Sequence, residues 1–298
     1  MLYADFEKAF EARLQTHADA YVNAVEYHRV QFGQMIQYLL RSILEQTDTL
    51  IKQSDVDWAR TEEVVSDILY CADMDVEQFL ALEIPNELTV DRDFEAVKTE
   101  LYETKCYPVS EHLNYISFPP ALERKAFIGK HFDRLKADSY FCDLGFGPGV
   151  LTAFILQQDA SWYAAGVDIS KDCLHHAQRL LKKKEVLGRS KLSVADVRSL
   201  PYPDNTFDMV VAVEVLEHIP DPETGLVEAM RVLKPGGYAM TALPVRLPLW
   251  MHLYDFDTPD EVLALYKKVG LEVVDFETKE FQLQGGSFVD TFALSVNP

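Results

Sequence analysis

The stretch Phe141–Val150, FCDLGFGPGV, constrains this chain more than any other. A short apolar run, Tyr140 to Cys142, ends in Asp143, and glycines follow at alternate positions, Gly145, Gly147 and Gly149. The apolar, helix-compatible segment LTAFILQQ comes next. This order predicts a strand, a glycine-rich turn and a helix. Glycine reaches positive φ and carries no Cβ, so the chain can turn sharply and let a ligand rest on its backbone. The turn also delivers N–H groups to a helix N-terminus, a favourable place for negative charge. A nucleotide-like cofactor is the first functional expectation.

Details separate the nucleotide cofactors. The dinucleotide fingerprint is G-x-G-x-x-G followed by an acid about 20 residues on. Here the third glycine comes one residue early, and Val150 stands where the fingerprint wants glycine. An acid does follow, Asp168, closing the run WYAAGVD. An NAD-dependent oxidoreductase is therefore the weaker alternative.

The remainder of this half alternates strand and helix signals. Trp162 to Val167 reads as a strand ending at Asp168, whose carboxylate can accept two hydrogen bonds from a ribose diol; Ile169 could then pack on an adenine face. A helix is expected over Lys171 to Lys184, and then a short strand, KLSVA, ending at Asp196. The pair Asp196-Val197 suits an adenine amine beside an apolar wall. Phe207 to Val213 is a continuous apolar run, as in a central parallel strand. It leads into EVLEHIPD, a helix over about Pro222 to Leu233, the turn Lys234-Pro235-Gly236-Gly237 and a strand over Tyr238 to Leu243. Thr258-Pro259-Asp260-Glu261 is a capping box with proline at the first helical position, and Gly270 stops that helix. LEVVDFET and GSFVDTFALSV are two further strands joined by KEFQLQG. So short a link demands an antiparallel pair.

Residues 1–117 carry no comparable motif. Apolar residues recur at threes and fours from Leu2 to Ile43, and further helices are expected up to Tyr70 and over Asp91 to Thr104. The segment HLNYISF, between Tyr107-Pro108 and Pro119-Pro120, reads as an irregular connector. This helical unit could be a lid, a wall of the substrate pocket or a dimerisation surface, with Tyr3, Tyr21, Tyr27 and Tyr115 as candidate pocket aromatics.

Composition narrows the partners. Lys+Arg 28 against Asp+Glu 48 gives a formal charge of −20, which opposes nucleic acid and anionic membrane surfaces. No run approaches 18 apolar residues and the first residues do not read as a signal peptide, so a cytoplasmic setting is expected. The cysteines form no C-x-x-C pair, and the adjacent His175 and His176 point apart on a helix, so no metal site is expected.

The D-x-G-x-G-x-G form, with its acid before the first glycine, resembles motif I of the class I S-adenosylmethionine (SAM) methyltransferases. DMVVAVEVLEHIPD and RVLKPGG, in this order and spacing, are similar to the later motifs of the small-molecule members of that family, a group that includes the ubiquinone-biosynthesis O-methyltransferases. The resemblance spans about Lys125 to Pro298. It implies an α/β fold: a doubly wound, mostly parallel, Rossmann-like sheet of seven strands with a terminal antiparallel hairpin. Residues 118–298 would form this SAM-binding domain, behind an all-helical domain over 1–117. By the same resemblance Asp143, Gly145, Phe146, Gly147 and Gly149 flank the methionine part of SAM. Asp168 holds the ribose, Asp196 with Val197 holds the adenine, and Glu214, or its backbone carbonyl, lies near the methionine end. The implied reaction is in-line methyl transfer to an oxygen or nitrogen of a small molecule. His218 and His252 are the candidate catalytic residues, and Trp250, Tyr254 and Phe256 are candidates for the acceptor pocket. A SAM-binding sensor or inactive partner subunit is the non-enzymatic alternative, and a homodimer is compatible with the helical half.

Overall fold

The computed structural model describes residues 58–74, 78, 94–117, 119–247, 251–283 and 286–298. The helical periodicity over residues 2–50, the three tyrosines within it and Trp250 lie outside these.

Seven strands form one sheet in the order β3-β2-β1-β4-β5-β7-β6. They are β1 Tyr140–Leu144, β2 Tyr163–Asp168, β3 Ser190–Val194, β4 Phe207–Val213, β5 Leu233–Val245, β6 Glu272–Leu283 and β7 Gly286–Val296. The first five pair in parallel. β7 runs antiparallel between β5 and β6, as the short link between the last two strands requires.

Side chains alternate across the sheet and divide the core in two. Cys142, Leu144, Val210 and Ala212 pack on one face with Leu226 and Ala229 of α7 (Pro222–Val232) and Val262 and Tyr266 of α8 (Pro259–Val269). Phe141, Met209 and Val211 pack on the other, against α4 (Pro119–Lys130), α5 (Val150–Leu156) and α6 (Lys171–Lys183). From Met209 to Val213 β4 is apolar because both its faces are covered, and Asp208 near its start accepts the Tyr140 N–H instead.

The helix starts follow their capping signals. Ser170, Asp221 and Thr258 each accept a backbone N–H of the first turn, at the heads of α6, α7 and α8. Gly270 ends α8 at φ +90°, a left-handed cap that a side chain would strain.

Three boundaries differ from the sequence expectation. The segment read as a connector is helical: α3 covers Cys106–Ser117. Pro108 stands in its first turn, where an N–H would have no intrahelical partner, so proline opens this helix rather than breaking it. β5 starts at Leu233 instead of Tyr238, and its pairing with β4 shifts register between Phe207 and Met209, which accommodates the Lys234–Gly237 bend inside the strand. β6 continues to Leu283, through most of the expected loop.

Part of the amino-terminal region packs on this domain. In α1 (Trp58–Ala72), buried Asp67 pairs with Lys183 and Lys184 at the end of α6, each at 2.7 Å. His112 of α3 meets His176 of α6 at 3.0 Å. A short helix α2, Phe94–Val97, runs into a π-helical turn, Lys98–Tyr102. Among the described residues, no helix is long and apolar enough to cross a membrane.

Candidate active site

The strand order reverses between β1 and β4, and open α/β sheets bind ligands beyond the strand ends at such a point. A cleft open to solvent lies there. Four strand tips line it: Gly145 after β1, Asp168 and Ile169 from β2, Asp196 and Val197 after β3, and Glu214 and Val215 after β4. Parallel strands put these ends side by side although they are far apart in sequence. Phe94, Tyr102 and Tyr107 close the cleft from the helical side, and His218 stands at its edge.

The glycine turn supports this cleft in different ways at each position. Gly145 has φ +65°, and a Cβ there would come within 2.5 Å of Val215. Gly149, φ +81°, lets α5 approach α6, since its Cβ would stand 2.8 Å from that of Ala177. Gly147, φ +50°, has no protein atom within 4 Å of an added Cβ, so its open side could take a ligand. Phe146 is turned into the core, packing with the α5 and α6 side chains.

The acids are held individually. Asp168 accepts N–H groups of Gly147 and Ser170, both at 2.8 Å. Burial lifts its carboxyl to about 6 against these two donors. Asp143 is buried beneath the turn, accepts the Thr152 hydroxyl, and is pushed by burial to about 7. For Asp196, burial is outweighed by Arg198, which grips the carboxylate with its guanidinium and backbone N–H and holds it below the usual range. Glu214 adopts φ +53°, and its carboxylate meets Arg124 of α4 at 2.9 Å. Arg124 also reaches Asp290 of β7 at 2.8 Å.

Beside the cleft, a second group gathers behind Glu214. Glu217 is 1% exposed, and neither carboxylate oxygen has a hydrogen-bond partner among the described residues. Burial pushes it to about 8. His218 Nδ1 lies 3.2 Å from the Met251 carbonyl, and its ring meets that of His252 edge-on at 4.9 Å between centroids. Burial lowers this imidazole to about 3, so it is neutral near pH 7. Tyr254 is 41% exposed, stacks obliquely on Phe256, and is not part of the cleft wall.

The residues present suit SAM. Asp168 has lone pairs left for a ribose diol after its two N–H bonds. Ile169 and Val197 offer apolar walls. The acids suit a sulfonium and an ammonium, and among the described cleft residues there is no lysine or arginine to meet a pyrophosphate.

Residues 142–241 match the family described as "Methyltransferase domain". Over these residues the chain is similar to that methyltransferase family. An uncharacterised methyltransferase of Schizosaccharomyces pombe is 38% identical to the chain over 109 residues, 35% of this chain and 39% of that protein. A chloroplastic 2-methyl-6-phytyl-1,4-hydroquinone methyltransferase of Oryza sativa subsp. japonica is 31% identical over 138 residues, 44% and 38% of the two chains. The 27-O-demethylrifamycin SV methyltransferase of Amycolatopsis mediterranei is 36% identical over 103 residues, 35% and 38%. The chain thus spans well under half the length of these curated relatives. The solved geranyl diphosphate methyltransferase in complex with GPP and sinefungin shares the fold, with a TM-score of 0.51 at 15% identity over 59% of this chain and 77% of that one. So does the [4+2]-cyclase SpnF, TM-score 0.52 at 18% identity, over 58% and 80%. SAM is the cofactor of this methyltransferase family.

Sequence reasoning missed several groups that the methyltransferase domain brings together. Phe94, Tyr102 and Tyr107 come from a π turn and a helix start that carry no motif, and Tyr115 instead lines a separate cavity with His112 and Lys125. Arg124 is one cation in a helix until β7 brings Asp290 to it, 166 positions away. Glu217 lay within the recognised EVLEHIPD segment, yet only its burial marks it.

These buried carboxyls set a pH dependence. Asp143, Asp168 and Glu217 titrate near 7, 6 and 8 when folded, against ordinary values of 3.8, 3.8 and 4.5. Their stabilising contribution is full below the unfolded values and is lost as pH rises through the folded ones. The histidines His112, His176 and His218, lowered from 6.5, act oppositely, and their change is half made at pH 6.5 and complete above about pH 7.5. From pH 6.5 to 8 the free protein should therefore lose about 2 kcal/mol. Denaturant midpoints measured across that interval check this; a rising midpoint would contradict the protonated carboxyls.

Proposed function

We propose that this chain moves a methyl group from SAM to an oxygen or nitrogen of a small-molecule acceptor by in-line displacement. The observation that carries this reading is the convergence of Gly145, Asp168, Asp196 and Glu214, from four strand tips, on one cleft. Relatives whose names specify a hydroquinone and a rifamycin support a small organic acceptor. When bound, SAM supplies a methyl group already activated on a sulfonium.

The chain's own residues bind and align. Asp168 receives the ribose hydroxyls, its rotamer fixed by the Gly147 and Ser170 N–H groups. Val197 and Ile169 enclose the base. Arg198 engages both carboxylate oxygens of Asp196 and so fixes the rotamer from which a remaining lone pair would meet the adenine amine. Glu214 turns its backbone toward the methionine end, since Arg124 holds its carboxylate. Tyr102, Tyr107 and His218 form the wall facing the acceptor, with His252 positioning the His218 ring. Alignment of this kind is worth roughly 7–11 kcal/mol of a transfer barrier.

Calorimetry with SAM and with S-adenosylhomocysteine tests the reading, with NADH as the competing ligand. Both sulfur nucleosides should bind and NADH should not. Asp168→Ala should weaken SAM binding about 10–100-fold, the value of charge-assisted hydrogen bonds to one carboxylate. Absence of SAM binding by the purified protein would end this reading, and binding without turnover on any acceptor would favour the sensor alternative.

A further inference from the structure

We infer that Glu217, His218 and His252 form a binding site for a first-row divalent cation of the zinc type at the edge of the cleft, with an open position for a hydroxyl oxygen of the acceptor. Each residue offers one ligand atom, and the three atoms lie within 4.8 Å of one another. Metal bonds of about 2.0–2.2 Å would draw them together around one ion. Two imidazoles and one carboxylate are a donor set for such ions, and three protein ligands leave a coordination position free.

Three further observations point the same way. Glu217 is buried with both carboxylate oxygens unpartnered among the described residues, the kind of buried group that an ion would explain. A proton on one oxygen would not answer this, because the resulting O–H would itself need an acceptor. Second, Nδ1 of His218 faces the Met251 carbonyl, and a hydrogen bond there fixes the proton on Nδ1 and leaves the Nε2 lone pair available. Metal-binding histidines are oriented by such a bond on their other nitrogen. That Nε2 lies 3.7 Å from Glu217 Oε1. Third, the Glu217 carbonyl accepts the N–H groups of Leu253 at 2.8 Å and Tyr254 at 3.0 Å, so the loop bearing His252 is clamped to the turn bearing the other two. Since 217 and 218 are neighbours and 252 stands on another loop, no local spacing rule would reveal the set.

The ion would face the acceptor side, because His218 lines the cleft beside Glu214 and Val215. This deepens the proposed methyl transfer and rests on it for the acceptor's place: a hydroxylated acceptor would complete the coordination through its oxygen, which selects oxygen over nitrogen as the methylated atom.

The test uses Co²⁺ as a spectroscopic probe on the full-length protein after chelation and dialysis. The wild type should bind one equivalent with visible d–d absorption, and His252→Gln and Glu217→Gln should each weaken binding by at least about 10–100-fold. His131→Gln, on a histidine paired with Asp275 elsewhere, should bind as the wild type does. Should Glu217→Gln fail to fold, His252→Gln carries the comparison. Equal Co²⁺ binding by wild type and His252→Gln, or none by the wild type, overturns the site. Catechol added as an oxygen ligand should shift the cobalt spectrum; an unchanged spectrum overturns the open position. SAM calorimetry on the same samples separates the two readings: cobalt without SAM binding upholds the site and removes the methyl-transfer reading, whereas SAM without cobalt removes the site alone.

Discussion

Arg124→Met should destabilise the fold by about 3–5 kcal/mol, the cost of stripping the partner from buried charge. Arg124 is the cation between Asp290 and Glu214, at 2.8 and 2.9 Å, and Asp290 is 0% exposed. Methionine fills much of the same volume, so packing loss is small and the change isolates the charge. Two buried carboxylates would then have to take up protons or drag water into the sheet. The deficit should accordingly shrink in acid, where protonation is easily met. Breaking the exposed pair Lys268–Glu223 should by contrast leave the midpoint nearly unchanged. Urea midpoints for both variants, at neutral and acidic pH, decide this. A loss below about 1 kcal/mol for Arg124→Met would mean that the acids are already neutral in the wild type.

Substitution in the glycine turn should separate folding from ligand binding. Gly145→Ala must hold a methyl-bearing residue at φ +65° and push Val215, 2.5 Å away, into the cleft that it lines. The strain alone is worth about 1–3 kcal/mol. SAM affinity should fall about 100-fold, or about 2.7 kcal/mol, as the wall moves inward. Gly147→Ala, at φ +50° with no protein atom near the new methyl, should cost the free protein only about 1–2 kcal/mol. Its larger effect should appear only with SAM present. Thermal melting with and without SAM distinguishes the two: the Gly145 variant should melt earlier in both states, and the Gly147 variant should lose chiefly the ligand-induced gain. Equal ligand-induced gains in Gly147→Ala and wild type would place the cofactor away from this turn.

What was legible in the sequence was whatever one segment encodes by itself. β4 spans Phe207–Val213 as its largely apolar run predicts, and Thr258-Pro259 and Gly270 bracket α8. The acidic strand ends could be read because a parallel sheet converts each end into a neighbour of the next. The path of residues 106–117 could not, because proline serves equally as a breaker and as a first-turn residue, and only packing against α1 and α6 decides between them. The aromatic wall was equally hidden: Tyr102 and Tyr107 gain their place from a π turn that no periodicity announces. Glu217 and Arg124 show why charged residues resist this kind of reading, since their roles depend on partners supplied by distant loops and strands.

The position of β7 has a consequence for the order of assembly. It lies between β5 and β6, and β6 joins the sheet through β7 alone, so the two strands must dock on the β5 margin together as a hairpin. Asp290 travels with that strand, and it is the second anchor of the guanidinium that holds Glu214. Such long-range closure is slow, because the intervening loop must be ordered before any contact rewards it. Competence for the methyl donor would thus be among the last properties the chain acquires as it folds.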